Sequence, residues 1–237
     1  MVVFDMAGTT VDEDNVVYKT LKQAINARGF QYTLDQVLAE GAGKEKFQAI
    51  KSILQQYGSS ESVQLADEIY ADFVPMLAKA YENIQVNAQP HAKELFQVLK
   101  QRNIRVVLNT GYNSETAESL LSKLGWEKGN EFDSLITASD VKNNRPHPEM
   151  IGLAMHTFHI QNAKEVIKVG DSIIDIEEGQ NAGCALSIGI TTGAHTYAQL
   201  KSASPDYIIN DLMELIPVID GYETSLPLPP SDLYLTG

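Results

Sequence analysis

The sequence predicts an α/β fold, a Rossmann-like parallel sheet core that carries an inserted, all-helical segment. From residue 90 onward, short apolar runs rich in β-branched residues alternate with segments of helical periodicity, which is typical of a parallel sheet covered by helices. Between the first such run and the next, residues 15–87 show helical periodicity and no convincing strand. We therefore predict a core of residues 1–14 plus 88–225, a helical insertion of residues 15–87 and a Pro-rich tail at 226–237.

Each core strand is predicted from a short apolar run that a turn or helix signal follows. These runs occupy residues 1–4, 104–108, 135–137, 166–169 and 185–188, and the segments between them predict helices near 95–99 and at 114–125, 148–159 and 174–182. Inside the insertion, apolar residues recur at helical spacing in four stretches that begin near residues 16, 34, 47 and 63. The fourth stretch contains Pro75 and is expected to bend there. From Gly221 onward, prolines at 227, 229 and 230 predict an irregular chain.

The composition limits the classes of function. The 237 residues are 43% apolar, enough for the core of one large domain or of a domain with an insertion. A net charge of −13 disfavours anionic partners, so we expect neither nucleic acid nor a membrane surface. Cys184 is the only cysteine, so no intrachain disulfide can form. Without a long apolar stretch or a basic leader, the sequence predicts a cytoplasmic protein.

Polar side chains follow three of the predicted strands. Asp5 ends the first strand, Thr110 and Gly111 follow the second, and Asp171, with Asp175 four residues later, follows the strand at 166–169. Because ligands bind at the carboxyl ends of parallel strands, these groups converge if the strands are neighbours. Clustered carboxylates repel each other, and Mg²⁺, which prefers oxygen ligands, relieves that repulsion. Taken singly, each aspartate is equally well explained as a cap of the following helix.

The order of these motifs resembles the haloacid dehalogenase superfamily. The chain has Asp-x-x-Gly-Thr-x-x-Asp at residues 5–12, a strand-terminal threonine at 110, a basic residue at 145 and Gly-Asp-x-x-x-Asp at 170–175. The resemblance implies a HAD-like core, and it places the helical insertion where that superfamily carries a C1-type cap domain. It also implies a hydrolase acting on a small phosphorylated or phosphonylated metabolite with Mg²⁺ as cofactor.

The resemblance implies a role for each carboxylate of the motifs. Asp5 is the implied nucleophile, which attacks phosphorus and forms an aspartyl-phosphate. The implied metal ligands are the Asp5 carboxylate, the backbone carbonyl of Ala7, and Asp171, while Asp175 supports the metal directly or through water.

The same resemblance assigns the groups that hold the phosphoryl oxygens. Thr110 and the Gly111 N–H bind these oxygens, and Arg145 neutralises the phosphoryl group and the nucleophile. The implied substrate- and phosphate-binding set is completed by Gly8, Thr9 and Tyr112, since the loop N–H groups near Gly8 and Thr9 suit a phosphate cradle.

Two departures from the common pattern point to one branch of the superfamily. Most phosphatases of this kind carry a second aspartate two residues after the nucleophile, as general acid for the leaving oxygen, but here that residue is Ala7. The usual lysine before the last motif is Arg145. Together the segments DMAGTTVD, TGY and RPHP are similar to the phosphonatase branch, phosphonoacetaldehyde hydrolase and its close relatives. In that branch carbon leaves phosphorus, so no oxygen leaving group needs a proton.

The phosphonatase branch uses a cap lysine that forms a Schiff base with the aldehyde, and such a lysine must be neutral to attack. Gly41-Ala42-Gly43-Lys44 resembles the Gly-x-x-Lys of that branch and makes Lys44 a candidate. A gapless alignment from the preceding helix instead places Glu45 at the lysine position, and an ordinary surface lysine explains Lys44 equally well.

Several alternatives stay open at the level of sequence. One is a phosphatase acting on a small phosphate monoester, similar to phosphoglycolate phosphatases, in which cap residues or water supply the proton. Another is a non-catalytic binding module on the same fold. We expect hinges near residues 13–15 and 87–90, with Glu13 and Asp14 solvated, and we regard the apolar cap helices as a candidate homodimer surface.

Overall fold

Within the residues that the structure describes, the protein folds around a six-stranded parallel sheet, and the sequence predicted a parallel sheet with five of these strands. We describe a computed structural model of residues 1–58 and 63–225. The strand order is β5-β4-β1-β6-β7-β8, so the first strand lies at the centre, between β4 and β6. The strands of this sheet are β1 (Val2–Asp5), β4 (Val106–Thr110), β5 (Ser134–Thr137), β6 (Ile167–Gly170), β7 (Leu186–Ile190) and β8 (Tyr207–Ile209).

Helices cover both faces of the sheet because successive strand residues point to opposite sides. Phe4 packs on one face against Phe96 of α5, and Val3 packs on the other with Met150 of α7. The core helices are α5 (Ala92–Gln101), α6 (Ser114–Leu124), α7 (Glu149–Thr157), α8 (Ile173–Ala182), α9 (Tyr197–Ser202) and α10 (Leu215–Ser225).

The segment between the first two core strands forms four helices that pack on one another, and we call it the helical insertion. Its helices are α1 (Val16–Asn26), α2 (Leu34–Gly41), α3 (Lys46–Tyr57) and α4 (Val63–Asn83). The apolar positions that predicted the first of them, such as Leu21 and Ile25, are fully buried. The fourth helix contains Pro75 and continues through it as a single element.

A short antiparallel ribbon joins the insertion to the core. It consists of β2 (Val11–Asp12) and β3 (Asn87–Ala88), and it brings together the two predicted hinge positions. These two-residue strands and β8 are too short for sequence periodicity to predict. After β2, Asp14 and Asn15 both adopt a positive φ, which turns the chain sharply into α1.

One expectation about the end of an element is corrected, and another cannot be compared with the structure. The chain does not become irregular at Gly221, because α10 extends to Ser225 and places Ile219 in the core. The predicted Pro-rich tail at 226–237 lies outside the described residues.

A search of the helices in the described ranges finds none that is both long and apolar enough to cross a bilayer.

Candidate active site

The carboxyl ends of the central strands bring the predicted carboxylates together. Asp5 ends β1, which pairs with β4 so that Asp5 lies opposite Asn109. Asp171 follows β6, and Asp175 lies on the first turn of α8. One carboxylate oxygen from each of Asp5, Asp171 and Asp175 lies within 4.8 Å of the other two, and all three side chains are buried. The topological prediction that these groups converge is therefore correct.

Glycines allow the backbone to approach these carboxylates closely. A Cβ on Gly8, whose φ is +88°, would overlap the Asp171 carboxylate, and a Cβ on Gly170 would overlap Asp175. Thr9 donates its hydroxyl to Asp171 Oδ1 at 3.1 Å, and the Ala194 N–H donates to Asp171 Oδ2 at 2.6 Å. Thr9 is fully buried, and its side chain holds the Asp171 carboxylate in place.

Arg145 is the central cation of the site and is fully buried. Its Nη1 donates to Asp5 Oδ1 at 2.7 Å and lies 2.8 Å from Asp175 Oδ1. Its Nη2 donates to the backbone carbonyl and to the side-chain oxygen of Asn109 at 2.8 and 2.6 Å. Its Nε lies 3.2 Å from Glu178 Oε2. All three guanidinium nitrogens therefore face partners, and the planar group is held in one orientation.

Two residues that sequence reasoning missed, Lys168 and Glu178, complete what we call the core cluster. Its members are Asp5, Arg145, Lys168, Asp171, Asp175 and Glu178. The Lys168 ammonium lies 3.0 Å from Asp175 Oδ1 and 3.2 Å from Glu178 Oε2, and both of these side chains are inaccessible to solvent. The sequence signal that could have revealed this pair is the lysine inside the apolar strand segment Ile-Lys-Val-Gly, since a central strand rarely carries an unpaired cation.

The charges of the core cluster do not balance. Burial raises the pKa of Asp5, and repulsion from Asp175 adds to the effect. Burial, with repulsion from Asp5 and Asp175, also holds the pKa of Asp171 well above its ordinary value. Burial opposes ionisation of Asp175 as well, but attraction by Arg145 and Lys168 outweighs it and lowers the pKa. Two of the three aspartates therefore lack enough positive charge around them.

A divalent cation fits this imbalance. Four buried carboxylates face two buried cations, so in their ordinary charge states the six groups of the core cluster carry a net charge of −2. The backbone bridge between Ala7 and Val11 uses Gly8 N–H and Met6 O, so it does not involve the Ala7 carbonyl, the fourth predicted ligand. An all-oxygen donor set of this kind suits a hard cation such as Mg²⁺.

A loop of the helical insertion packs directly onto Gly111, the residue that follows the end of β4 at Thr110. A Cβ on Gly111 would lie only 2.9 Å from the Gly43 carbonyl oxygen and 3.0 Å from that of Lys44. Thr110 is buried, and its Oγ1 accepts a hydrogen bond from the Tyr112 N–H at 3.2 Å. The predicted phosphoryl-binding strand end and the predicted lysine loop are therefore in contact.

Within that loop, the buried amine belongs to Lys46 and not to Lys44. The Lys44 side chain is partly buried, which lowers its pKa, and the charges nearest to it are those of Glu40 and Glu177. Lys46 is buried, and its Nζ donates to the Lys44 carbonyl at 2.9 Å. Burial lowers the pKa of Lys46 to about 8, although Glu45 and Asp5 act in the opposite direction.

Aromatic rings enclose the Lys46 amine. Its Nζ lies 4.9 Å from the ring centroids of both Tyr18 and Tyr112, a cation–π arrangement, and 3.4 Å from the Tyr18 hydroxyl. The hydroxyl of Tyr81, on α4, is buried close to that of Tyr112. Tyr112, predicted in the substrate-binding set, thus faces the lysine.

Glu13 lies in the same enclosed region, contrary to the expectation that it is solvated. It is only 3% exposed, whereas its neighbour Asp14 is exposed as expected. Its Oε2 accepts the Val17 N–H at 3.3 Å, at the start of α1. Burial raises the pKa of Glu13 to about 7, and Lys46 only partly offsets this effect. We call Glu13, Tyr18, Lys46, Tyr81 and Tyr112 the lysine chamber.

Comparison with known proteins places the chain in a family. Residues 2–188 match the family of haloacid dehalogenase-like hydrolases, so the chain belongs to that family of hydrolases. A phosphonoacetaldehyde hydrolase from Parabacteroides distasonis is 31% identical over 207 residues, which cover 82% of this chain and 76% of that protein. A bifunctional phosphonoacetaldehyde hydrolase/aminoethylphosphonate transaminase from Clostridioides difficile is 30% identical over 77% of this chain, which spans only 30% of that longer protein.

Phosphatases of the family are also similar to this chain. A phosphoglycolate phosphatase from Vibrio parahaemolyticus is 25% identical, with 92% of this chain and 95% of that protein covered. Among solved structures, a phosphonoacetaldehyde hydrolase-like protein from Oleispira antarctica superposes with a TM-score of 0.82 at 22% identity, covering 94% of this chain and 92% of that one. This structural likeness supports the fold.

Proposed function

We propose that this protein is a Mg²⁺-dependent hydrolase that cleaves the carbon–phosphorus bond of a small carbonyl-bearing phosphonate through Asp5. The observation that carries the proposal is the pairing of Ala7, which cannot protonate a leaving oxygen, with the enclosed amine of Lys46. A leaving carbon needs an electron sink and no proton on oxygen, and a neutral amine supplies that sink by condensing with a carbonyl group.

The environment of Lys46 supports this use of its amine. With a pKa of about 8, roughly a tenth of the amine is neutral at pH 7, far more than for an ordinary lysine. A cavity of about 460 Å³ between α4 and α6 is lined by Lys46 and Tyr112, and by apolar residues of α4 such as Phe73 and Leu77. The organic part of a substrate would bind there, with its phosphonate at the core cluster.

The proposed reaction passes through an imine on Lys46 and a phosphoryl group on Asp5. Lys46 Nζ adds to the substrate carbonyl, and loss of water with uptake of one proton, which the final hydrolysis releases again, leaves a protonated imine. Asp5 bonds to phosphorus as the carbon–phosphorus bond breaks, and that electron pair moves onto the imine to give an enamine. Water hydrolyses the aspartyl-phosphate to phosphate. The enamine takes a proton on carbon, and the water equivalent lost earlier is returned when hydrolysis frees the carbonyl product and the amine.

The core cluster would bind the phosphonate and stabilise its developing charge. Arg145, fixed on Asp5, would neutralise phosphoryl oxygens, and Thr110 with the Gly111 N–H would orient them. Asp5, Asp171, Asp175 and the Ala7 carbonyl would hold Mg²⁺, which supplies charge neutralisation at the phosphoryl group.

A second candidate function, hydrolysis of a phosphate monoester, is favoured by Glu13. This buried carboxyl has a pKa of about 7 and lies in the lysine chamber. It is therefore a candidate for the proton donor to the leaving oxygen, the role of the aspartate that position 7 lacks. The similarity to a phosphoglycolate phosphatase points in the same direction.

Borohydride trapping tests the first function. Reduction in the presence of phosphonoacetaldehyde should inactivate the wild-type protein and add the reduced two-carbon adduct to the peptide that contains Lys46. Lys46→Arg should abolish labelling, whereas Lys44→Arg should keep it. A label on Lys44 would move the reactive amine to that residue and refute the role of Lys46.

A substrate panel separates the two functions. Phosphonoacetaldehyde, phosphoglycolate and simple alkyl phosphates should be assayed with wild type and Glu13→Gln. Absence of adduct together with rapid ester hydrolysis that Glu13→Gln slows would favour the phosphatase and reject hydrolysis of a carbon–phosphorus bond.

A further inference from the structure

Beneath Arg145, on the side away from the helical insertion, three buried polar side chains form a closed network. Asn109 Nδ2 donates to both Glu178 oxygens at 2.9 and 3.0 Å, and Asn109 Oδ1 accepts from Lys168 Nζ at 2.6 Å. Lys168 and Glu178 are themselves an ion pair at 3.2 Å. None of the three is exposed to solvent. Each of them also contacts Arg145 or Asp175, so the network is continuous with the core cluster.

The fold makes specific room for this network. Lys168 lies in the middle of the sheet, where β6 pairs with Val3 of β1 on one side and with Ser187 of β7 on the other. A Cβ on Gly179 would lie 2.8 Å from Lys168 Cβ, so this glycine lets α8 pack directly against β6. That close approach brings Glu178, the residue before Gly179, over the lysine.

Burying such an ion pair between β6 and α8 costs free energy, and a well-packed apolar pair of similar volume is usually no less stable. Stability alone therefore does not explain it. Two properties of the network bear on function. First, Asn109 and Glu178 contact two nitrogens of Arg145 and so hold its guanidinium in place. Second, Lys168 places a positive charge against Asp175, and Glu178 places a negative charge against Arg145.

We infer that Lys168 and Glu178 are positioning residues that together set the affinity of the core cluster for a divalent cation and hold Arg145 against Asp5. This inference rests on the metal site of the proposed function. Lys168 raises the net charge of the cluster by one, and Glu178 lowers it by one. The two residues therefore act on cation binding in opposite directions, whereas they act on Arg145 in the same direction.

Titration with Mg²⁺ alone tests the inference without a substrate. Lys168→Met should tighten Mg²⁺ binding about tenfold, and Glu178→Gln should weaken it about tenfold, the lower end of the range over which residues behind metal ligands act. The double variant should bind within about threefold of wild type, because it restores the net charge. Lys168→Arg, which keeps the charge, should also bind like wild type.

Turnover should follow a different pattern. It should fall in both single variants and stay low in the double variant, because Arg145 loses its support in each. Glu177→Gln, the adjacent residue on α8, and Lys201→Met, on the exposed face of α9, serve as controls for a general loss of charge and should leave both readouts unchanged.

The Mg²⁺ titration and the turnover measurement can also contradict the inference. If both single variants weaken Mg²⁺ binding to the same extent, or neither changes it, the pair is only a structural filler and the inference is wrong. The double variant guards against misfolding, since it leaves no unpaired buried charge. If wild type itself fails to bind Mg²⁺, both this inference and the proposed metal site are overturned. If wild type binds Mg²⁺ but gives no borohydride adduct, only the proposed cleavage of a carbon–phosphorus bond through Lys46 is rejected.

Discussion

The core cluster and the lysine chamber hold their ionisable side chains in different ways. In the core cluster, the cations Arg145 and Lys168 form ion pairs of 2.7–3.2 Å with carboxylates. In the lysine chamber, Lys46 is bound by a backbone carbonyl and two aromatic rings, and Glu13 by a helix N–H.

The difference has a consequence for protonation. Ion pairs keep the Arg145 guanidinium charged, and the carboxylates around it raise its pKa above an already high value in spite of its burial. In the lysine chamber burial dominates, so the pKa values of Lys46 and Glu13 converge on about 8 and about 7. The first environment suits fixed charge stabilisation and the second suits groups that exchange protons near neutral pH. Variants of the two regions should therefore fail in different ways.

The largest effect is expected from the nucleophile. Asp5→Asn should reduce turnover of every substrate, carbonyl phosphonate or phosphate ester, by about 10⁴-fold or more, because the amide cannot form the acyl phosphate. Steady-state phosphate release on both substrate classes measures it. An Asp5→Asn variant that kept more than about 1% of turnover on either class would show that this class does not react through Asp5.

The next effect should separate the two regions. Lys46→Met should slow cleavage of phosphonoacetaldehyde by ~10³-fold or more, since the electron sink is lost, while phosphate ester hydrolysis stays within about tenfold of wild type. Lys51→Met, which removes an exposed lysine of the same helix, is the matched control and should change neither rate. Equal losses on both substrates would mean that Lys46 acts on the phosphoryl group. The core cluster and the lysine chamber would then not have separate roles.

The core cluster could largely be predicted from the sequence, and the lysine chamber could not. Asp5, Thr110 and Asp171 follow strands whose apolar runs are visible, and parallel topology carries them to one edge. The segment from Gly41 to Lys46 lacks such a constraint, because its two lysines are two positions apart and only the packing of α3 on the core decides which is enclosed.

Burial of single charges was the other unpredicted feature. Glu13 follows a two-residue strand and precedes two residues of positive φ, so its side chain turns inward where an acidic pair suggested solvent. Lys168 and Glu178 belong to an apolar strand and to an otherwise ordinary helix, and their pairing depends on how closely α8 approaches β6 at Gly179. Such contacts arise from tertiary packing that local patterns do not record.

A smaller effect should appear in the pH dependence of stability. Because burial raises the pKa of Glu13 from 4.5 in an unfolded chain to about 7, the fold favours its neutral form. This contribution is fully present below pH ~4.5 and is lost as the pH rises through about 7, a change of roughly 3 kcal/mol at most. Glu13→Gln keeps an acceptor for the Val17 N–H without titrating.

Urea unfolding at pH 5 and pH 8 measures this difference. Relative to wild type, Glu13→Gln should gain stability between pH 5 and pH 8, and the exposed neighbour variant Asp14→Asn should not. A constant difference between wild type and Glu13→Gln at both pH values would show that the Glu13 carboxyl ionises normally in the folded protein.

The smallest expected effect concerns a contact between the α/β core and the helical insertion at His195. This buried ring accepts the Ile173 N–H on Nδ1 at 2.9 Å, in the core, and its Nε2 lies 3.3 Å from the Leu38 carbonyl oxygen, in the helical insertion. His195→Ala removes both contacts and should lower the free energy of unfolding by about 1–2 kcal/mol. His195→Asn keeps an acceptor near the Nδ1 position but does not reach Leu38.

Comparing the two variants therefore isolates the contact of His195 with Leu38 in the helical insertion. Hydrogen exchange of α2 should accelerate in both variants, whereas exchange at the start of α8 should accelerate only in His195→Ala. His156→Ala, an exposed histidine on α7, provides the baseline. If α2 exchanges at the wild-type rate in both variants, the loop contacts at Gly111 and Gly43 suffice to hold the insertion on the core, and the lysine chamber stays closed without the histidine.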